Sequence, residues 1–234
     1  MWPENCLILI PARAGSKGIP GKNWKRLGDK PLIQYSLEQA LQICPADQIC
    51  VSSDADEVLN VAQAMGLPIP FKRPAELSSD HSGSREVLIH ALDHYQSQGR
   101  PFDYVVLLQA TSPFRTAGDI AACLELLQGD PSADAAYSVA PCRSHPYYTQ
   151  FREDDGALKP LFAQNFTRRQ DLPEIWELNG SIYAFRSQSL RKYSLAELPK
   201  RLLFKMPAAS LVDLDTEDDW MYAEFLLDRG KAYL

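Results

Sequence analysis

Positive charge is in short supply in this chain: 24 Lys and Arg stand against 30 Asp and Glu, for a formal charge of -6. No general basic field is available to attract a nucleic-acid backbone, so any anion must be held by a local cluster. No apolar run approaches the roughly 18 to 20 residues of a membrane span. The opening Met1 to Asn5 lacks the basic-then-apolar order of a signal peptide, and a cytoplasmic protein is expected. The five cysteines (Cys6, Cys44, Cys50, Cys123, Cys142) are odd in number and show no CxxC spacing, which reads as reduced core thiols. The four histidines have neither an HExxH pattern nor a cysteine pair beside them; His90 and His94 are spaced i, i+4 but carry no metal signature. GxSxG and Cys/His arrangements for acyl transfer are missing too.

What is present suffices for one main domain of ordinary core size: 234 residues, 45% of them hydrophobic. Cys6 to Ile10 is a continuous apolar run, as expected of a central strand covered on both faces, and it ends in Pro11. Pro31 suits a first helical turn, and Leu32, Ile33, Tyr35, Ser36, Leu37, Ala40 and Leu41 recur at helical spacing. Gln48 to Ser53 reads as a short strand, followed by a helix from about Ala55 with Asp54 and Glu57 as its capping box. Tyr104 to Leu108 is a further buried strand, and Thr116 with Asp119 opens a helix to about Gln128. Strands alternating with helices predict a mostly parallel sheet in a three-layer α/β domain.

Between about Pro141 and Asn179 the alternation stops, interrupted by prolines, aromatics and the turn sequence Glu153-Asp154-Asp155-Gly156. A β-rich insertion is expected there. Its Tyr147, Tyr148, Phe151, Leu158, Leu161 and Phe162 are many for so thin a segment, so they either pack on the parent domain or await a partner surface. Ser181 to Phe185 and Leu211 to Leu214 then return to strand character, and Thr216 with Asp219 caps a last helix.

The first strand runs straight into Pro11-Ala-Arg-Ala-Gly-Ser-Lys-Gly-Ile-Pro-Gly-Lys-Asn23, which sets three glycines, Arg13, Lys17 and Lys22 at the carboxyl end of a strand. Open α/β sheets bind ligands at that edge. Glycines let backbone N–H groups approach phosphate oxygens while cations neutralise them, so the loop suits a polyphosphate. It is neither a Walker A motif nor GxGxxG. On composition alone a solvated glycine-rich turn stays open.

Val212-Asp213-Leu214-Asp215-Thr216 alternates apolar and acidic residues, which on a strand would turn both carboxylates to one face. Two hard oxygen ligands suit Mg²⁺, which also binds substrate phosphates; a helix approach with a solvated Asp213 is the plainer alternative. Gln109, leading into Ala110-Thr-Ser-Pro-Phe-Arg115, projects polar groups toward the same edge. Arg73, Ser82 and Ser84 lie in a strand-to-helix connection where Ser82 could equally be a helix cap. Arg168 and Arg169 offer planar forks for a carboxylate.

Taken together, IPARAGSKGIPGKN, KPLI, VSSDADE, RPAELSSD, LLQATSPFR, RRQDLP, NGSIYAF and DLDTEDD resemble, in order and over nearly the whole chain, the CMP-sialic acid synthetases (acylneuraminate cytidylyltransferases). The resemblance implies a Rossmann-like nucleotidyltransferase fold in one domain over residues 1–234. It also implies a homodimer formed partly through an inserted segment at about 141–179, and Mg²⁺-dependent transfer of CMP from CTP to a nine-carbon 2-keto sugar acid. By position, Arg13, Ser16, Lys22 and Asn23 match the triphosphate and nucleotide loop, and Arg73, Ser82 and Ser84 further nucleotide contacts. Gln109 and Arg169 match sugar-acid contacts, with Arg168 as a neighbour that could exchange roles. Asp213 and Asp215 match the metal carboxylates, and these two with Arg13 and Lys22 form the implied catalytic set. Ala14 and Gly21 depart from the family's usual residues without removing a ligand. Acceptors left open are N-acetylneuraminic, legionaminic, pseudaminic and Kdo acids, and a non-catalytic nucleotide-binding scaffold is the reading from a different class.

Overall fold

A computed structural model describes residues 2–79, 82–162 and 168–234, with the side chain of Arg169 outside the described set. The expected apolar runs form the middle of a six-stranded sheet in the order β10-β6-β9-β5-β1-β4. Its strands are β1 (Cys6–Pro11), β4 (Ile49–Ser52), β5 (Tyr104–Leu108), β6 (Ala135–Pro141), β9 (Trp176–Arg186) and β10 (Arg201–Lys205). β1 pairs in parallel with β4 and β5, and β10 with β6, whereas β9 is antiparallel to both neighbours. The sheet is therefore mostly parallel, as the alternation predicts.

Because successive side chains leave opposite faces of a strand, β1 divides its apolar run between two cores. Cys6, Ile8 and Ile10 face α1 (Leu32–Leu41), α2 (Asp56–Ala64) and α4 (Ala117–Gln128). Leu7 and Leu9 face α3 (Ser84–Ser97) and α6 (Ser187–Lys192). Three layers result. Four cysteines are buried as free thiols, and burial pushes Cys50 and Cys123 up to about 12. Cys142 lies only partly buried, outside the core expected for it.

Several local expectations hold and others fail for visible reasons. Thr116 and Asp119 form a reciprocal capping box on α4, and Thr216 with Asp219 does the same on α7 (Glu217–Asp228). Pro31 sits one residue earlier than expected, as the N-cap of α1 and the end of a small hairpin of β2 (Arg26–Leu27) and β3 (Lys30–Pro31). The Asp54/Glu57 box does not form: Ala55 is the N-cap of α2 and makes no side-chain cap bond. Asp54 is taken instead by a tertiary partner, accepting from the Ala14 N–H at 2.8 Å. Leu211 to Leu214 is not a strand either. After β10 the chain turns through a 3-10 segment at Ala208–Ser210, and the Leu214 N–H goes to the Thr111 carbonyl rather than to a sheet neighbour.

In the inserted stretch, a short α5 (Pro146–Thr149) precedes β7 (Phe151–Asp154) and β8 (Ala157–Pro160), which pair as a separate antiparallel ribbon. Asp155 and Gly156 both hold positive φ (53° and 72°), as the two-residue hairpin turn requires.

Candidate functional site

A third apolar cluster builds the site. Ile19, from the glycine-rich loop, is fully buried with Leu27, Leu32, Phe114, Val212, Leu214 and Trp220. Burying such a side chain stabilises by about 1.5–3 kcal/mol, so the loop is pinned at its middle and the segment before α7 is pinned to it. The approach is tight. A Cβ on Gly18 would lie 2.0 Å from the Asp215 carbonyl oxygen, so glycine is required there.

The cations follow from that anchoring. Lys22 is 7% exposed, and its Nζ donates to the Leu214 carbonyl at 2.5 Å and to Asp215 Oδ1 at 2.9 Å. Asn23 Nδ2 donates to the Arg13 carbonyl at 3.0 Å, closing the loop on itself. Arg73, 6% exposed, donates from Nε to Ser52 Oγ at 2.9 Å and from its other arm to the Ser52 carbonyl. Burial brings its pKa down to about 10; Asp54 opposes that shift and Arg13 reinforces it.

A cleft of about 440 Å³ at the carboxyl edge of β1 is lined by Arg13, Ser16, Lys22, Asn23, Arg73, Ser82, Ser84, Gln109 and Asp215. These residues are scattered over the whole sequence, and the fold brings them to one place. Ser82 is not the cap of α3, whose N-cap is Gly83; its Oγ donates to the Glu76 carbonyl at 2.8 Å. Gln109, expected beside a sugar acid, lies in the same cleft as the cations.

Asp213 faces a second cleft of about 360 Å³, alongside Arg143, Glu177, Gly180 and Tyr183. No strand forms here, which corrects the expected reason for the geometry of the two carboxylates, but the alternation holds without it: Val212 and Leu214 are buried while Asp213 and Asp215 are exposed, one aspartate lining each cleft. Burial first, then the Asp215 charge, raises the Asp213 pKa, while Thr111, Lys22 and Ser112 act the other way. Gly180, at φ 70°, passes close enough that a Cβ would sit 3.3 Å from Asp213 Oδ2. Burial and Asp213 together push the Tyr183 hydroxyl up to about 12.

Arg168 is not in either cleft. It is exposed and forks onto the Asp171 carboxylate at 2.9 and 3.0 Å. Arg169 opens a short 3-10 turn (Arg169–Asp171), and its side chain lies outside the described residues. Sequence reasoning missed Arg143 and Glu177, which no motif marks, and gave Asp54 only a capping role. It quoted Thr111, Ser112 and Tyr183 within longer strings without giving them a role.

Comparison with known proteins gives this arrangement a context. A cytidylyltransferase family model matches residues 7–206. The chain belongs to the cytidylyltransferase family. It is 34% identical over 230 residues to CMP-N,N'-diacetyllegionaminic acid synthase of Legionella pneumophila, covering 97% of this chain and 98% of that protein. It is 31% identical to a pseudaminic acid cytidylyltransferase of Campylobacter jejuni, over 94% of this chain and 95% of that one. Its fold matches the structure of CMP:2-keto-3-deoxy-manno-octonic acid synthetase complexed with CTP, with a TM-score of 0.72, 21% identity, and coverage of 96% and 99%. This cytidylyltransferase is thus a nucleotidyltransferase with a Rossmann-like fold. No described helix is long and apolar enough to cross a membrane.

Proposed function

We propose that this cytidylyltransferase transfers CMP from CTP to the anomeric hydroxyl of a nine-carbon 2-keto sugar acid, a nonulosonic acid of the neuraminic or legionaminic type. The observation that carries the reading is the junction of two clefts at the Asp213-Asp215 segment, one rich in buried cations and the other open beside Arg143. CTP would lie in the first, its triphosphate against Arg13, Lys22 and Asn23, with Arg73, Ser82 and Ser84 toward the nucleoside. The sugar acid would lie in the second. The legionaminic name of one relative supports this choice of acceptor, and the pseudaminic name of another supports only the wider nine-carbon class.

In the reaction the anomeric oxygen forms a bond to the α-phosphorus while the bond to the bridging α,β-oxygen breaks. Pyrophosphate leaves and the hydroxyl loses its proton. Such displacements depend on positioning and charge neutralisation more than on covalent help. Lys22 and Arg13 would hold the departing pyrophosphate, and the buried setting makes each charge count for more than in water.

The donor set fits Mg²⁺. Asp215 keeps one oxygen beyond its bond to Lys22, and Asp213 is a carboxylate whose raised pKa a neighbouring cation would oppose. A Mg²⁺ site commonly uses one or two carboxylates plus substrate phosphates and water. When bound, the ion would neutralise charge on the α-phosphate. The proposal also includes one domain spanning the chain, a cytoplasmic location, and a homodimer through the 141–179 segment. Exposed Tyr148, Phe151, Leu158, Leu161 and Phe162 support the homodimer.

The test is pyrophosphate release with each of four nucleoside triphosphates against neuraminic, legionaminic, pseudaminic and Kdo acids. Turnover with CTP and a nine-carbon acid is expected. Turnover with Kdo alone or pseudaminic acid alone, or none with any pair, would overturn the reading.

A further inference from the structure

Arg115 is, among the described residues, the largest side chain buried without exposure, at 0%. Among the described residues no carboxylate forms an ion pair with it, and its Nε has no hydrogen-bond partner. Burial lowers its pKa to about 9, opposed by the more distant Asp119. A buried charge without a counter-ion is costly, and an apolar side chain of similar volume would serve packing alone at least as well.

Its donors show what the charge is used for. Nη1 donates to the carbonyls of Gln109 at 2.9 Å and Ser112 at 2.7 Å, and more weakly to the Ser181 carbonyl at 3.4 Å. Nη2 donates to Ser36 Oγ. The 109–112 turn is thus gripped at both ends from beneath. Its other side serves the acidic segment: the Thr111 carbonyl accepts the Leu214 N–H at 2.9 Å, and Ser112 Oγ donates to Asp213 Oδ1 at 3.4 Å.

We propose that Arg115 is a positioning residue for Asp213, acting through the 109–112 turn: it fixes the carbonyls of Gln109 and Ser112 so that the Thr111 carbonyl holds Leu214 and the Ser112 hydroxyl faces that carboxylate. Arg115 touches neither cleft. Its influence on catalysis, which rests on the proposed reaction, is therefore greater on the placement of Asp213 than on CTP affinity, although the turn also carries Gln109 and Thr111 of the nucleotide cleft.

The experiment compares the full-length wild type with Arg115→Met, Arg115→Lys and a control, Arg186→Met. Arg186 also binds backbone carbonyls, those of Ala133 at 2.7 Å and of Leu127 and Asp130 at 3.1 Å. It lies at the far end of β9, paired with Tyr104 at the opposite edge of the sheet from the clefts. Two readouts are taken. Amide exchange at Leu214 should be about tenfold faster or more in Arg115→Met and within about twofold of wild type in Arg186→Met, since local opening follows local support. kcat should fall about 10- to 100-fold in Arg115→Met with the KM for CTP within about threefold, as small misplacements at a reacting centre do. Arg115→Lys, keeping a charged donor, should recover part of both.

The proposal is overturned if Arg115→Met and Arg186→Met accelerate Leu214 exchange alike, if kcat is unchanged, or if the KM for CTP rises as much as kcat falls. Should Arg115→Met not fold, Arg115→Lys carries the same comparison against the control. If the wild type turns over no sugar acid, the proposed reaction fails while Leu214 exchange still decides the role of Arg115.

Discussion

The cleft around Lys22 and the cleft around Asp213 adjoin, yet they hold their charges differently. In the first, Lys22 and Arg73 are almost entirely buried and tied to backbone carbonyls, so their positions are set before any ligand arrives. In the second, Arg143 is exposed and its side chain is tied, among the described residues, only to the Leu211 carbonyl, at 2.6 Å, and Leu158 of the separate β7–β8 ribbon is 77% exposed. The first half is preorganised by its own core. The second is open, and the ribbon inserted between β6 and β9 presents apolar surface to solvent. A nucleotide half that serves one triphosphate gains from rigidity, because prepositioned donors cost nothing to reorganise in the reaction.

The comparison is broken most directly at its boundary. Asp213→Asn should lower kcat on the order of 10²- to 10³-fold, the range for loss of a group that acts on transition-state charge. It should also raise the thermal midpoint at neutral pH. Burial and Asp215 lift the folded-state pKa of Asp213 above its ordinary 3.8, so the fold favours the protonated form. That stabilisation is fully present below the unfolded pKa and is lost as pH rises through the raised folded value. At pH 7 the ionised carboxylate is a liability that Asn removes. Thermal melts of the two proteins at acid and neutral pH check this: the gap between them should widen as pH rises.

Lys22→Met comes next, with kcat/KM for CTP falling about 10²-fold through lost charge on the phosphates. Stability should change little, because the Asp215 partner is 72% exposed and such pairs contribute at most about 1 kcal/mol. A large loss of thermal stability instead would mean that Lys22 is structural.

Arg143→Met tests the open half. The KM for the sugar acid should rise about tenfold, the scale of one charge-assisted hydrogen bond, while the KM for CTP stays put. An equal rise in both would erase the division between the clefts. The smallest effect on the protomer is expected from Leu158→Glu: protomer stability within about 0.5 kcal/mol of wild type, as for other surface changes, but weaker self-association by sedimentation. Unchanged association would argue that the ribbon is not the contact between copies.

Legibility in the sequence followed the range of the interaction. The Thr116/Asp119 and Thr216/Asp219 boxes and the Asp155-Gly156 turn are closed within a few residues, and each forms as written. Asp54 carries the same local signature and fails, because Ala14, 40 residues away, competes for its carboxylate and wins. The acidic pair was marked by its alternation, but the reason given for its geometry was wrong: Leu214 bonds Thr111 and no strand forms. Arg168 lies in the RRQDLP string and Arg143 in no motif. Only their neighbours separate the one that lines a cleft from the one that caps Asp171.

By itself, the sequence determined the alternating α/β layers, the helix caps, the hairpin turn and the chemical character of the Arg13 to Asn23 loop, since all depend on residue type and short spacing. Tertiary structure alone decided that Lys22 meets Asp215, that Gly18 lets their segments touch, and that Arg115 lies beneath the 109–112 turn. Those contacts join residues far apart in the chain, and which of many possible partners a buried charge finds is settled only when the cores on both faces of the sheet have closed.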